Sequence, residues 1–350
     1  MRLISFIVPI YNLKQDEVTK CISSLVNQSC TDYEIIIVDD GSSNGIEKYC
    51  DILGEEFGVK IIHQSNQGLA VARNTGMSAA DGKWIVHVDG DDWVDINLAE
   101  ELRIKEQHSN ADIIVWGFVL DSGAFQQELL LKNKHVFDGS FQDIKENVLC
   151  SILDCDSSFS SLSLNTSWAK AYRADYIRNN NLFYDNHLRR AQDAVYNLRA
   201  FSKATSVEYI DKALNFYRND NISLSRGYNP KTYDYLLLTA KAIKAFVEKE
   251  GVTGRVKESS VVFIQRCFRM TANQLYLHKD NPMTYAERKR MFLNALMTEP
   301  YNSAFRSNIS RNRFLFKIED YFYKKHSFCG VSVYSKLFAW AYMVKKIIRK

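Results

Sequence analysis

No Cys-x-x-Cys pair and no Cys/His ligand spacing occurs in the 350 residues, although seven cysteines are present. Zinc modules and disulfide scaffolds are thereby disfavoured, and the odd count reads as reduced thiols in a cytosolic setting. Proline is scarce, at four, and glycine stands at fifteen, which excludes a collagen-like or low-complexity chain. No Gly-x-Gly-x-x-Gly follows the first apolar run and no Walker A sequence is found, so a dinucleotide or P-loop site is disfavoured. No apolar run is long enough to span a bilayer. The opening MRLISFIVPIYN is too short in its apolar part for a secretory signal, and no small-residue cleavage site follows it. There is no internal repeat.

What is present is apolar material for a sizeable core: 46% hydrophobic and 13% aromatic residues. The net charge of +4 is unevenly placed. Residues 301–350 hold eleven Lys/Arg against Glu319 and Asp320, so that segment carries +9 and the first 300 residues carry −5. Such asymmetry points to an anionic partner at the C-terminal end.

Strand-like runs at 3–10, 34–38, 59–63, 84–88 and 112–116 alternate with helical patterns at about 15–28, 45–57, 69–80 and 96–108. Near-continuous apolar strands separated by helices predict an α/β fold, a Rossmann-like, mostly parallel sheet with flanking helices, followed by a helical C-terminal region. Ligands of such sheets collect at the carboxyl ends of the strands. Polar clusters stand at three of those ends: Tyr11-Asn12, Asp39-Asp40-Gly41-Ser42 and Asp89-Gly90-Asp91-Asp92. Residues 118–225 are less regular, with a Ser-rich stretch at 154–170, and 230–300 read as helical.

Two adjacent aspartates exceed what a helix cap requires, which leaves one to accept from a ligand. Three carboxylates in four residues repel and are costly to desolvate unless a cation or strong donors face them. They form either a solvated acidic turn or a seat for Mg²⁺ or Mn²⁺, ions that take carboxylate oxygens and leave positions for phosphate. Arg73, on the helical segment that leads to this loop, either contacts phosphate or pairs with an aspartate; the sequence does not choose. Gly76 within the same helix costs about 1 kcal/mol relative to alanine, which suggests close packing on the sheet.

Four stretches, SFIVPIYN, SLVNQSCTDYEIIIVDDGSSNG, NQGLAVARNTG and WIVHVDGDDWV, together resemble the inverting family 2 glycosyltransferases of the GT-A fold. The likeness continues more weakly in WAKAYRADYI (168–177), AQDAVYNLRAF (191–201) and NFYRNDNISLSR (215–226). It implies a donor-binding half at 1–117, an acceptor-binding half at 118–226 and a helical region at 227–350. Pro9, Tyr11 and Asp40 would hold the nucleotide base, with Asp39 supporting the turn or the ribose. Gly68, Arg73, Asn74, Asp89 and Asp91 complete the implied donor site, Asp91 or Asp92 would hold Mn²⁺ or Mg²⁺ at the pyrophosphate, and Asp193 would be the catalytic base. Gln192 stands where the family commonly has glutamate. His87 is read as a strand residue with a hydrogen-bond partner. Trp168, His187 and Arg218 fall in the acceptor region, with core packing the favoured reading for Trp168.

The activity so implied is metal-dependent transfer of a hexose or N-acetylhexosamine from a UDP-sugar to a saccharide hydroxyl. The acceptor would be a glycan on a polyprenyl-pyrophosphate carrier, for capsule, exopolysaccharide or O-antigen. Competing readings are an inactive sugar-nucleotide-binding scaffold and a nucleotidyltransferase; the second lacks its expected Gly-rich loop after the first strand. The stretch 333–350 reads as an interfacial helix with Leu337, Phe338, Trp340, Tyr342, Ile347 and Ile348 towards lipid and lysines towards headgroups. That places the chain in the cytoplasm, peripheral on the inner membrane face, with no nucleic-acid partner.

Overall fold

The structure, a computed structural model, describes residues 2–154, 159–219, 227–309 and 314–348. It divides into two compact units, Met1–Ile222 and Ser223–Lys350.

The first unit is built on one nine-stranded sheet. In chain order it runs β1 Ile4–Ile10, α1 Gln15–Val26, β2 Tyr33–Asp39, α2 Ile46–Phe57, β3 Lys60–His63, α3 Leu69–Ser78, β4 Trp84–His87, β5 Trp93–Val94, α4 Leu98–Glu106, β6 Ile113–Asp121, β7 Gln126–Leu129, α5 Phe141–Asp154, β8 Lys170–Arg173, α6 Ala174–Asn179, α7 Gln192–Lys203 and β9 Val207–Arg218. The five strands and four helices expected in the first 117 residues are all present, within a few residues of their expected ends except where β6 runs on to Asp121.

Every residue of β1 is buried, as its unbroken apolar run requires of a strand covered on both faces. It lies parallel between β2 and β4, and β3 adds parallel to β2. The ends of β1, β2 and β4 therefore open on one edge. Gly76 sits where α3 crosses this sheet: an added Cβ would overlap the side chain of Ile7. Absence of a side chain there sets how closely helix and strand approach.

Beyond β4 the order changes in a way the sequence did not indicate. β8, from a segment with no alternating pattern, inserts antiparallel between β4 and β6. β9 pairs in parallel with β6 along its whole length, with register shifts around Gly117. Its far end then pairs with the two-residue β5, Trp93 opposite Phe216. The acidic loop at 89–92 is thus stitched to a strand more than 120 residues later, because the end of β9 pairs with β6 on one side and with β5 on the other.

The second unit is helical: α8 Thr232–Lys249, α9 Gly254–Thr271, α10 Tyr285–Leu296, α11 Tyr301–Arg306, α12 Phe314–Lys324 and α13 Phe328–Ile348. Its core is aromatic, with Phe268 edge-on to Phe292, Tyr301, Phe305 and Tyr323. Arg269 of α9 ion-pairs with Glu319 at 3.2 Å and with Asp320, all three buried. No helix among the described residues is long and apolar enough to cross a membrane. Residues 220–226 of the last motif lie outside the described residues. Trp340, Tyr342, Ile347 and Ile348 lie beyond the last described side chain of α13, Phe338.

Candidate active site

A cleft of about 400 Å³ opens at the carboxyl edge of β1, β2 and β4, and its lining includes Pro9, Tyr11, Asp40, Gly68, Asp89 and Asp91. Tyr11 leaves half of its surface exposed at the mouth, the posture of a ring available for stacking. The turns after β1 and β2 hold each other: the Asn12 amide donates to Ser42 Oγ at 2.9 Å, and the Ser43 amide donates to Asn12 Oδ1 at 2.8 Å.

Asp39 and Asp40 have separate duties. Asp39 is buried, accepts from the Ser42 amide at 3.0 Å and meets His63 Nδ1 at 2.9 Å. His63 Nε2 meets Asp51 at 3.0 Å, and these two carboxylates raise the imidazole above its ordinary range. Asp39 therefore braces the turn and does not line the cleft. Asp40 does line it, and accepts from Gln64 Nε2, the Gln67 amide and the Gly68 amide at 2.7, 2.9 and 2.7 Å. An ionised carboxylate has about four acceptor positions. Three are occupied by the loop, which leaves room for one donor from a ligand. Gly68 presents its amide at φ +88°, a conformation costly for other residues, and Arg189 reaches across it to the Gln67 carbonyl.

Arg73 resolves the choice the sequence left open. Its guanidinium is fully buried, bonds Asp89 at 2.6 Å and ion-pairs with Asp193. Burial alone would lower this group, but the Asp193 and Asp89 charges reverse the effect and hold it firmly protonated. Asn74 is not among the residues that line the cleft. Its amide donates to the Tyr184 carbonyl at 2.9 Å and its oxygen accepts from the Tyr184 amide at 2.9 Å, fixing the segment that precedes α7.

Asp193 lies in the first turn of α7, after Ala191 at φ 50°. Burial raises its carboxyl and the Arg73 charge opposes the shift. Lys170 lies nearby, fully buried, donating to the Ser163 and Trp168 carbonyls at 3.0 and 2.9 Å. Burial pulls its ammonium down to about 7, against the attraction of Asp193. Its one sequence signal is a lysine inside a short apolar run. His87 corrects an expectation: neither ring nitrogen has a hydrogen-bond partner among the described residues. It packs edge-on against Tyr172 and Tyr184, and burial, Arg73 and Lys170 keep it neutral.

The two neighbouring carboxylates of the acidic loop diverge. Asp91 is exposed to the cleft, and burial of its carboxylate by the walls together with the Asp89 charge pushes it up to about 6. Asp92 is buried, points to β9 and accepts from the Arg218 amide at 2.9 Å, so it is not presented to a ligand. Arg218 Nε in turn donates to the Asp91 carbonyl at 3.0 Å. Among the described residues no group of three or more His, Cys, Asp or Glu side chains could hold a metal ion on its own. Asp91 with Asp89 still fits Mg²⁺ or Mn²⁺ arriving with a diphosphate, since such ions are commonly held by one or two carboxylates plus phosphate and water. Trp168 is a core residue stacked on Tyr217, and His187 is exposed, its amide bonded to Asp185.

Comparison with known proteins bears on the family and the fold. The family described as Glycosyl transferase family 2 matches residues 5–179. The uncharacterized glycosyltransferase EpsJ of Bacillus subtilis is 31% identical over 281 residues, 75% of each chain. The cholesterol galactosyltransferase of Borreliella burgdorferi is 25% identical over 281 residues, 78% of this chain and 76% of its own. Among solved structures, S. aureus TarS 1–349 in complex with UDP-GlcNAc superposes with a TM-score of 0.68 at 15% identity, covering 97% of this chain and 92% of that one. The fold is the GT-A fold.

Proposed function

Because the chain belongs to glycosyltransferase family 2, we propose that it moves a hexose or N-acetylhexosamine from a UDP-sugar to a saccharide hydroxyl with inversion at the anomeric carbon. The observation that carries this reading is the single guanidinium of Arg73 linking Asp89, at the donor cleft, to Asp193. The residues up to 117 serve the donor, residues 118–226 the acceptor, and the rest forms the helical region. Pro9, Tyr11 and Asp40 receive the uracil, with the one acceptor position of Asp40 that the loop leaves open.

Asp193 takes the proton of the acceptor hydroxyl as its oxygen bonds to the anomeric carbon and the bond to the diphosphate breaks. A sugar nucleotide carries its own leaving group, so one carboxylate suffices where a glycosidase needs two. Asp91, with Asp89 beside it, would hold Mn²⁺ or Mg²⁺, which when bound neutralises the charge of the departing diphosphate. The UDP and UDP-GlcNAc complexes of TarS support the choice of donor class. The acceptor is a lipid-linked glycan of a surface polysaccharide, presented at the inner membrane face. The cholesterol galactosyltransferase of Borreliella burgdorferi, by its name a relative that acts on a lipid, supports an acceptor with a lipid part.

The test is a panel of UDP- and GDP-sugars with Mn²⁺, read by thermal stabilisation and by transfer, with anomeric configuration followed by NMR. Asp193→Asn should keep donor binding and lower transfer by about 10²–10⁴-fold, the usual contribution of a general base. Stabilisation by a donor without transfer to any glycan would favour an inactive binding scaffold; no stabilisation at all would overturn the donor assignment.

A further inference from the structure

The last helix leaves apolar side chains outside the core of its own unit. Phe328 and Val331 at the start of α13 are buried at 2% and 0% exposure, and they anchor the helix. Val333, Leu337 and Phe338 are 52%, 60% and 44% exposed. Val333 and Leu337 are four residues apart and share a face. In the sequence the same four-three spacing continues at Trp340, Val344 and Ile347. Lys336, between the two exposed aliphatics, is also exposed.

The charge of the segment is one-sided. Residues 321–350 contain seven Lys/Arg and no Asp or Glu. The nearest acidic residues in the sequence, Glu319 and Asp320, are buried and paired with Arg269, so they offset little of that charge at the surface.

We propose that α13 docks this protein on an anionic lipid surface. A bilayer interface satisfies both features at once: the aliphatic face enters the boundary of the acyl chains and the lysines meet acidic headgroups, each worth about 1 kcal/mol near such a surface. A second copy of the helix would cover the apolar spacing, as in a coiled coil, but it would set two acid-free cationic segments side by side with no opposite charge to pair. Nucleic acid would answer the charge and leave the aliphatic face wet. Among the described residues no helix is long and apolar enough to cross a membrane, so the proposed contact is with the surface. The inference rests on the helical unit alone, so its failure leaves the donor reading, assayed in solution, untouched.

The test uses the full chain in flotation with vesicles of phosphatidylcholine alone or mixed with phosphatidylglycerol. Partition onto the mixed vesicles only, falling as salt is raised, is the expected result. The double substitution Val333→Asp/Leu337→Asp should lower that partition about tenfold or more, with thermal unfolding and UDP binding in solution unchanged, since both positions are exposed. Equal flotation of wild type and variant would overturn the proposal. So would failure of the wild type to float with acidic vesicles, whether sedimentation then shows a monomer, meaning a solvated face, or a dimer lost in the variant, meaning self-association.

Discussion

Arg73 and Asp193 lie 120 residues apart in the chain and form a buried ion pair, with Asp89 on the other arm of the same guanidinium. The pair joins α3, which borders the donor cleft, to the first turn of α7. It also means that the proposed base shares a cation with a donor-side carboxylate. Whatever engages Asp89 alters the electrostatic field at Asp193.

The Arg73→Lys variant keeps the charge and loses the fork. An ammonium is a point charge and cannot hold both carboxylates in the guanidinium geometry. Removing one partner of a buried pair costs about 3–5 kcal/mol; Arg73→Ala should show a loss of that order in denaturant unfolding. Arg73→Lys should lose less stability and most of the transfer rate, measured as kcat against the Kd for UDP.

Desolvation by the cleft walls, followed by the Asp89 charge, pushes the Asp91 carboxyl up from the ordinary 3.8 to about 6. With the folded value raised, its favourable contribution is complete below about 4 and is lost as pH rises through about 6. In metal-free protein, Asp91→Asn should therefore raise the melting temperature at pH 8 and change it much less at pH 4. Mn²⁺-supported donor binding needs the ionised form, and in wild type it should weaken as pH falls through about 6. A melting temperature lowered by the substitution at pH 8 would contradict the desolvation account.

His63 gains its proton affinity first from the Asp39 bond and then from Asp51. The folded value lies above the ordinary 6.5, so its stabilising effect is present below about 6.5 and lost as pH rises through the raised value. The turn that carries Asp39, Asp40 and Ser42 should then loosen at alkaline pH. Hydrogen exchange at the Ser42 amide should quicken with that titration beyond its intrinsic pH dependence, and His63→Gln should flatten the excess.

Gly76→Ala sets two effects against each other. Helix propensity favours alanine by about 1 kcal/mol. Overlap of the new methyl with Ile7 opposes it, and overpacking of this kind costs about 1–3 kcal/mol. Contact with a fully buried strand that cannot retreat makes the second effect the larger, so net destabilisation is expected in thermal unfolding. A Gly76→Ala/Ile7→Val double variant should recover part of the loss.

The strand–helix alternation of the first 117 residues was legible because each buried parallel strand is an unbroken apolar run closed by polar turn residues. The same rule placed Tyr11, Asp40 and Asp91 at one edge. β8 and β9 were not legible: one is four residues long and bounded by Lys170 and Arg173, and alternation in the other is broken where its register shifts beside Gly117. Asp91 and Asp92 look equivalent in sequence, and Asp39 resembles Asp40 just as closely. Only the partners that folding brings to them, Arg218 for Asp92 and His63 for Asp39, assign one of each pair to the scaffold and leave the other facing the cleft. Local pattern thus determined which strands form in the first 117 residues, β5 apart, and where their polar ends collect. Which carboxylates remain available depended on contacts between residues 24 to 126 positions apart, and no local period encodes those.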